Sequence, residues 1–392
     1  MAITISSYIS SAVSIVILSS VLFLILKKET IMSHFGLGCI YFLVLLLLLR
    51  GFIPVEFYKI HLTRTIYSQK IIPFIKDILE KNIIDLEYFS ITWMKVLIFI
   101  YGIGVVIHLY KNIRGYYTTE KNIKAISEIK DLKIIEKKQR AYKKIFGRDV
   151  NRVRIACSDK FRTPAIWGLF KPTIILPLYD YLEKDYYYIF FHELMHYKHK
   201  DFLIKFLLDI LVAFYWWIPF ISKFLFRVVN QVQELLVDYH LTKVMDRNEK
   251  IEYMTVLTKT LRFQKNTECN LQNKEIIYAL GDGHSSGNIM QRLRYIMKNS
   301  VKKISVFGIL ICTCLFLISF LVVFEPYYHV EIDEDGNKVY ENIEGQTYYI
   351  KNGDKYDLYM EKEYVGTYDI IFETFKDIPI YRTYEEVVEN EN

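Results

Sequence analysis

Phe191-His-Glu-Leu-Met-His-Tyr197 carries the order H-E-x-x-H. The flanks, Tyr186-Tyr-Tyr-Ile-Phe-Phe191 and Lys198-His-Lys-Asp-Phe202, contain neither proline nor glycine and read as helix. Residues four apart share one helical face, so the imidazoles of His192 and His196 can reach one zinc ion. Glu193, beside the first histidine, is placed to act as general base on a water. A catalytic zinc needs a third protein ligand and an open position. His199 points near the same face but lies too close along the helix to close a tetrahedron with the other two. A carboxylate from a second helix is the alternative. Gln231-Val-Gln-Glu-Leu-Leu-Val-Asp-Tyr-His240 offers Glu234 and Asp238, four apart and therefore on one face. Glu234 is read as the third metal ligand. Asp238 is read as the group that orients a ligand histidine from behind. His240 and Tyr239 are the weaker candidates for steadying an oxyanion.

The stretch between these helices, Phe202 to Phe226, is very apolar. A full membrane crossing there would put Glu234 on the opposite side from His192 and destroy the site. The stretch also contains Lys205, Asp209, Trp216, Trp217 and Pro219. These suit an interfacial or re-entrant pair bent near Pro219. The segment is expected to dip into the membrane or lie on it, and to return.

The surroundings are those of a membrane protein. Of 392 residues, 52% are hydrophobic, and the mean hydropathy is positive. Four apolar runs approach the ~20 residues that a spanning helix needs. They lie at about 5–26, 35–53, 91–109 and 304–324. Lys27 and Lys28 follow the first run, so the charge order opposes a cleavable signal peptide. Lys111, Arg114 and Lys121 follow the third, and Lys302 and Lys303 precede the fourth. By the positive-inside rule these flanks face the cytoplasm. The N-terminus, the loop 54–90 and the tail 325–392 are then outside, and residues 111–303 form a cytoplasmic domain. Arg50, near the outer end of the second run, is expected to snorkel to headgroups.

The net charge of +6 does not point to nucleic acid. In the tail, acidic residues outnumber basic ones roughly three to one, so the rest of the chain carries the positive charge. The basic stretch Lys121 to Arg148 reads as a solvated, lipid-facing juxtamembrane helix. Five cysteines without a C-x-x-C pair support neither a disulfide framework nor a cysteine metal site. Thr163 to Pro177, with Gly168 between two apolar runs, reads as a hairpin whose edge could pair with an extended substrate.

These residues resemble the BlaR/MecR-type membrane metallopeptidases over about residues 1 to 324. Arg50-Gly-Phe-Ile-Pro-Val-Glu-Phe57 is similar to that family's stretch after the second span. Ser158 to Pro177 resembles its strand pair, and His192 to His196 with Asp201 its metal helix. Trp217-Ile-Pro219 resembles its tryptophan-to-proline turn, Glu234 with Asp238 its third-ligand helix, and Asn288 to Met297 its basic helix before the fourth span. The resemblance implies a mainly α membrane protein with four transmembrane helices. It also implies a cytoplasmic α+β gluzincin-type zinc protease domain and one Zn2+ per chain. The family's members sense a ligand outside, cleave themselves and relieve a DNA-binding repressor, directly or indirectly. A winged-helix repressor, the lipid bilayer, an outer ligand and a second copy of the chain are the partners expected.

The tail departs from the family pattern. It has no S-x-x-K for acylation and is short for a penicillin-binding domain, which argues against β-lactam as the signal. Tyrosine-rich alternation punctuated by Asp335-Gly336, Glu344-Gly345 and Asn352-Gly-Asp354 reads as a small antiparallel sheet. The polar stretch Asn270 to Gly287 is the candidate for self-cleavage. Two rivals stand beside the sensor: a housekeeping quality-control zinc protease, and a non-catalytic receptor braced by zinc.

Overall fold

In the computed structural model of the chain, the first apolar run forms α1 (Ile5–Lys27), followed by the short α2 (Glu29–Phe35) and α3 (Leu37–Phe52). Gly36 joins α2 to α3 at φ 78. The residues described are 5–55, 64–66, 78–79, 81–86, 89–148, 153–159, 161, 163–179, 181–218, 221–266, 286–298, 305–324, 331–332, 338–339, 347–353, 355–360, 363–371, 378–382 and 386–387. They fall into two units, Met1–Pro326 and Tyr327–Asn392.

In the first unit, α4 (Trp93–Ala125) runs for 33 residues, well beyond the apolar run that predicts it. Among the described residues, α1 and α4 are long and apolar enough to cross a membrane. α3 and the later α11 (Val306–Leu321) are apolar but have 16 residues each, about 24 Å at 1.5 Å per residue. The last residues of the fourth run, Val322–Phe324, leave the helix as a strand. They pair in parallel with β1 (Arg64–Ile66), while β2 (Asn82–Leu86) and β3 (Phe89–Thr92) pair antiparallel before α4. Phe99, Val106 and Ile113 on α4 stay exposed.

Arg50 does not snorkel. It is fully buried where α1, α3 and α11 meet. Its guanidinium donates to the carbonyls of Ile53 (3.1 Å) and Ser319 (3.3 Å) and lies 4.4 Å from the Phe320 ring centroid. An arginine in an apolar bundle satisfies its donors on protein carbonyls when the helix ends that offer them lie nearer than the headgroups.

A three-stranded sheet precedes the metal helix: β4 (Arg154–Ser158), β5 (Ala165–Trp167) and β6 (Thr173–Pro177), in the order β4-β6-β5. β5 and β6 form the expected hairpin. β4, which pairs in parallel with β6, was not anticipated. Gly168 closes the hairpin at φ +98, where an added Cβ would lie 2.9 Å from the Lys171 carbonyl oxygen. β5 is the edge of the sheet.

The basic stretch is not simply a solvated helix. It contains α5 (Leu132–Phe146), capped by Asp131. Ala141, Tyr142 and Ile145 are buried in one core with Ile189, Phe190 and Leu194 of α6 (Glu183–His199). Lys138 is buried too, its ammonium donating to the Val153 carbonyl at 2.6 Å. Burial pushes that ammonium below the usual lysine range. The amphipathic face that reads as lipid-facing instead supports the metal helix.

α6 ends at Lys200, which takes φ 58, and α7 (Asp201–Phe214) leaves in a new direction. After a turn at Tyr215–Ile218, α8 (Ile221–Thr242) brings the chain back to α6. α7 and α8 thus form a helical hairpin, and Pro219 lies outside the described residues. Leu208, Leu211, Leu225 and Val232 pack in the same core as Leu22, Leu43 and Leu47 of α1 and α3. The hairpin of α7 and α8 is thus seated among the apolar helices. α9 (Arg247–Asn266) and α10 (Ser286–Lys298) complete the unit before α11. The stretch 270–285, most of the candidate self-cleavage region, lies outside the described residues.

With Val322–Phe324 as β7, Glu331–Ile332 as β8 and Lys338–Val339 as β9, the second unit holds β10 (Tyr348–Asn352), β11 (Lys355–Met360), β12 (Glu363–Tyr368) and β13 (Ile380–Tyr381) in a four-stranded sheet of order β12-β11-β10-β13. β10, β11 and β12 are antiparallel, as the tyrosine alternation predicts, with Gly353 at φ +64 in the first turn. β13 adds a parallel partner to β10. The Asp335-Gly336 and Glu344-Gly345 turns lie outside the described residues.

Candidate metal centre

α6 and α8 present one ligand set to each other. His192 Nε2 and His196 Nε2 are 3.1 Å apart. Glu234 reaches both, with Oε2 3.4 Å from His192 Nε2 and Oε1 3.6 Å from His196 Nε2. Donor atoms at 2.0–2.2 Å from a tetrahedral ion sit about 3.4 Å apart, so this triangle has the size of three corners of such a site. Among the described residues, this is the group of histidine, cysteine and carboxylate side chains placed to hold a metal ion.

The other ring nitrogen of each histidine is already occupied. The Tyr253 phenol donates to Asp238 Oδ1 at 2.6 Å, so its oxygen accepts from His192 Nδ1–H at 2.8 Å. His196 Nδ1–H points at Asp201 Oδ2, 2.6 Å away. With the proton on Nδ1, both Nε2 lone pairs face the triangle, the tautomer that a metal requires.

Arg292 of α10 anchors the carboxylates. Its Nε and Nη2 donate to the two oxygens of Asp238 at 2.6 and 2.9 Å. Its Nη1 lies 2.7 Å from Glu234 Oε2, an ion pair by distance, though that oxygen lacks a well-aligned hydrogen bond. Burial alone would push the Glu234 carboxyl up, but Arg292 and the two histidines outweigh it and hold it well below the usual range. Burial also opposes a charge on His196, yet Asp201 and Glu234 outweigh it and its pKa rises. Glu193 is buried beside the histidines, and burial pushes its carboxyl up against their pull. Glu193, Asp201, Glu234 and Asp238 gather around the two histidines, and Arg292 pairs with Glu234 and Asp238. A pocket that negative is suited to a divalent cation, which the donor set and its spacing also fit.

The structure brings His192, Glu193, His196 and Glu234 together. Asp238 lies 3.9 Å from His192 Nδ1 and reaches that ring through the Tyr253 phenol. The structure takes His240 and Tyr239 out of the site, since neither lines the cleft. His240 Nδ1–H donates to the Leu236 carbonyl, and its ring packs 4.7 Å from His199. Burial lowers His199 to about 4, so it is a neutral packing residue. Tyr253 and Arg292 were not singled out as individual site residues in the sequence. They carry no spacing signal, because α9 and α10 reach the site only through tertiary packing.

The cleft beside the metal group has a volume of about 710 Å³. Ala165, Ile166 and Gly168 form one wall, and Glu193 and Asn230 lie in its lining. The model of the BlaR1 peptidase M56 family matches residues 3–296. The chain belongs to this family. The M56 match takes in α6, α8 and α9 and most of α10, and thus all the residues of the metal group and its supports. A methicillin resistance mecR1 protein of Staphylococcus aureus (strain Mu50) is 26% identical over 324 residues, covering 74% of this chain and 50% of that protein. One from Staphylococcus epidermidis gives the same figures. The regulatory protein BlaR1 of Bacillus licheniformis is 27% identical over 126 residues, covering 32% of this chain and 21% of that protein. The M56 chain spans about half the length of the mecR1 proteins it matches.

Proposed function

We propose that this M56 chain is a zinc endopeptidase of the cell membrane that transduces an extracytoplasmic signal. The observation that carries the reading is the triangle of His192, His196 and Glu234 with Glu193 in the wall of the same cleft. Two imidazoles and a carboxylate suit zinc. Bound there, zinc would supply Lewis acidity to the scissile carbonyl and to the attacking water. Glu193 takes the proton from the attacking water and returns it to the leaving amine. Tyr253 and Asp201 hold the histidines in register, and Arg292 keeps Glu234 ionised. The free edge of β5 lays an extended peptide along the cleft by strand addition.

The four apolar runs as spans, a cytoplasmic metal site and an outside tail are part of the same proposal. Lysines after α1 and arginine and lysine after the apolar part of α4 support the orientation. A cytoplasmic repressor of winged-helix type and the chain's own 270–287 segment are the substrates proposed.

The test compares wild type with Glu193→Ala, both purified as full chains in lipid nanodiscs. Metal analysis should find about one zinc per chain in each. Fragment formation should fall by about 10³-fold in the variant, the scale of a general base. Identical fragment patterns in the two proteins would defeat the peptidase reading and favour a zinc-braced receptor.

A further inference from the structure

The same cleft contains polar groups that neither the metal nor its supports use. Asn230 lies on α8 one turn before Glu234, is 8% exposed and lines the cleft. Its Oδ1 is buried and has no hydrogen-bond partner among the described residues. Leaving a buried amide oxygen unpaired is costly, so such an atom on a residue that lines a cleft marks a place where something else binds. Lys205 lies on α7 one turn after Asp201, is half-buried and lines the cleft as well. Among the described residues its ammonium makes no hydrogen bond or ion pair, though it feels Glu193 and Asp209 electrostatically.

The two residues are displaced in the same direction. Going from Asp201 to Lys205 and from Glu234 to Asn230 moves one turn, about 5.4 Å, along α7 and α8 toward the turn that joins them. Both therefore stand beside the metal group on the side of the apolar helices. The cleft's charge is also divided. Its carboxylates, Glu193, Asp201 and Glu234, cluster at the metal. Arg148, Lys198, Lys200 and Lys205 line the rest, and Lys198 is turned to the Ile145 carbonyl.

We propose that Lys205 and Asn230 form a substrate subsite that selects an acidic side chain close to the bond that is cut. The inference rests on the peptidase reading and deepens it. Asn230 offers one acceptor and two donors, which match the N–H and C=O of an extended backbone. Lys205 then meets the carboxylate of the residue held there. An extended chain advances about 3.3 Å per residue, so a one-turn displacement places that residue within two positions of the scissile bond.

The full chain in zinc-loaded nanodiscs is given a degenerate dodecapeptide library, and the products are sequenced by mass spectrometry. Aspartate and glutamate should be enriched within two residues of the cuts. Two quenched fluorogenic peptides that differ only by Asp or Asn at the enriched position then give a kcat/KM ratio. That ratio should be about tenfold in wild type, the scale of one charge-assisted contact. It should persist in Lys205→Arg, collapse toward one in Lys205→Met, and yield to a preference for lysine in Lys205→Glu. Asn230→Ala should raise KM for both peptides alike. Any effect of Lys205 on Glu193 cancels in the ratio. Cuts without acidic enrichment, or an Asp/Asn ratio that survives Lys205→Met, would overturn the subsite and leave the peptidase standing. Absence of any Glu193-dependent cut would overturn both.

Discussion

The Tyr253 phenol shows how one hydroxyl sets the chemistry of a ligand two helices away. It donates to Asp238, which leaves its oxygen to accept from His192 Nδ1. The proton is thereby kept off Nε2, the atom that faces Glu234 and His196. Tyr253→Phe removes that acceptor and leaves both the imidazole N–H and Asp238 short of a partner. Zinc affinity, measured by competition with a chelator, should fall by about 10- to 100-fold, the usual effect of losing a group that orients a metal ligand. An unchanged affinity would show that Tyr253 serves packing alone. Asp201 does for His196 what Tyr253 does for His192. It reaches back from the first residue of α7, five positions beyond the ligand, because Lys200 adopts the left-handed conformation that breaks the helix there.

At the scale of elements, the metal helix is supported from two sides. α5 packs along it through Ala141, Tyr142 and Ile145, and the β4-β6-β5 sheet presents its edge to the cleft. The hairpin of β5 and β6 depends on Gly168, whose φ of +98 other residues rarely adopt. Gly168→Ala should cost about 1–3 kcal/mol in thermal or denaturant unfolding of the detergent-solubilised chain. It should also slow peptide cleavage more than it loosens zinc, because the hairpin lines the cleft and contributes no metal ligand. Equal losses of both would place the hairpin's role in the fold of α6 instead. The hairpin was legible from glycine and apolar alternation, which are local signals. β4 was not, since a parallel partner joined through a long connection leaves no turn signature. The burial of α5 was missed for a related reason. A basic amphipathic helix reads alike whether its apolar face meets lipid or another helix.

For the first unit as a whole, Arg50 joins three helices near the end of α11. Ser11 donates to the Arg50 carbonyl, and the Tyr215 hydroxyl shares its one proton between Ser11 Oγ and the Gly51 carbonyl. The turn between α7 and α8 is tied by these bonds to the same point as Ser319. Arg50→Met keeps much of the volume but removes the guanidinium donor from the Ile53 carbonyl and leaves the Ser319 carbonyl with Ser14 Oγ. Unfolding in mild detergent should show a loss of about 2 kcal/mol, with α11 becoming more accessible to proteolysis. Unchanged stability and protease sensitivity would mean that the bonds exchange for water at no net cost.

The sequence by itself determined the ligand helix, because H-E-x-x-H on an uninterrupted helical pattern fixes two imidazoles on one face. It also pointed to Glu234, since a third ligand was required and a carboxylate pair four apart lay on the next polar helix face. The return of the α7–α8 segment followed from that requirement before any coordinates. The tertiary structure decided what lies behind the ligands. Tyr253 and Arg292 reach the metal group through packing between helices distant in sequence. It also decided that Arg50 stays inside and that His240 turns away. Which partner a polar side chain finds is set by the nearest unsatisfied group in three dimensions, and helical periodicity reports only the face from which it sets out.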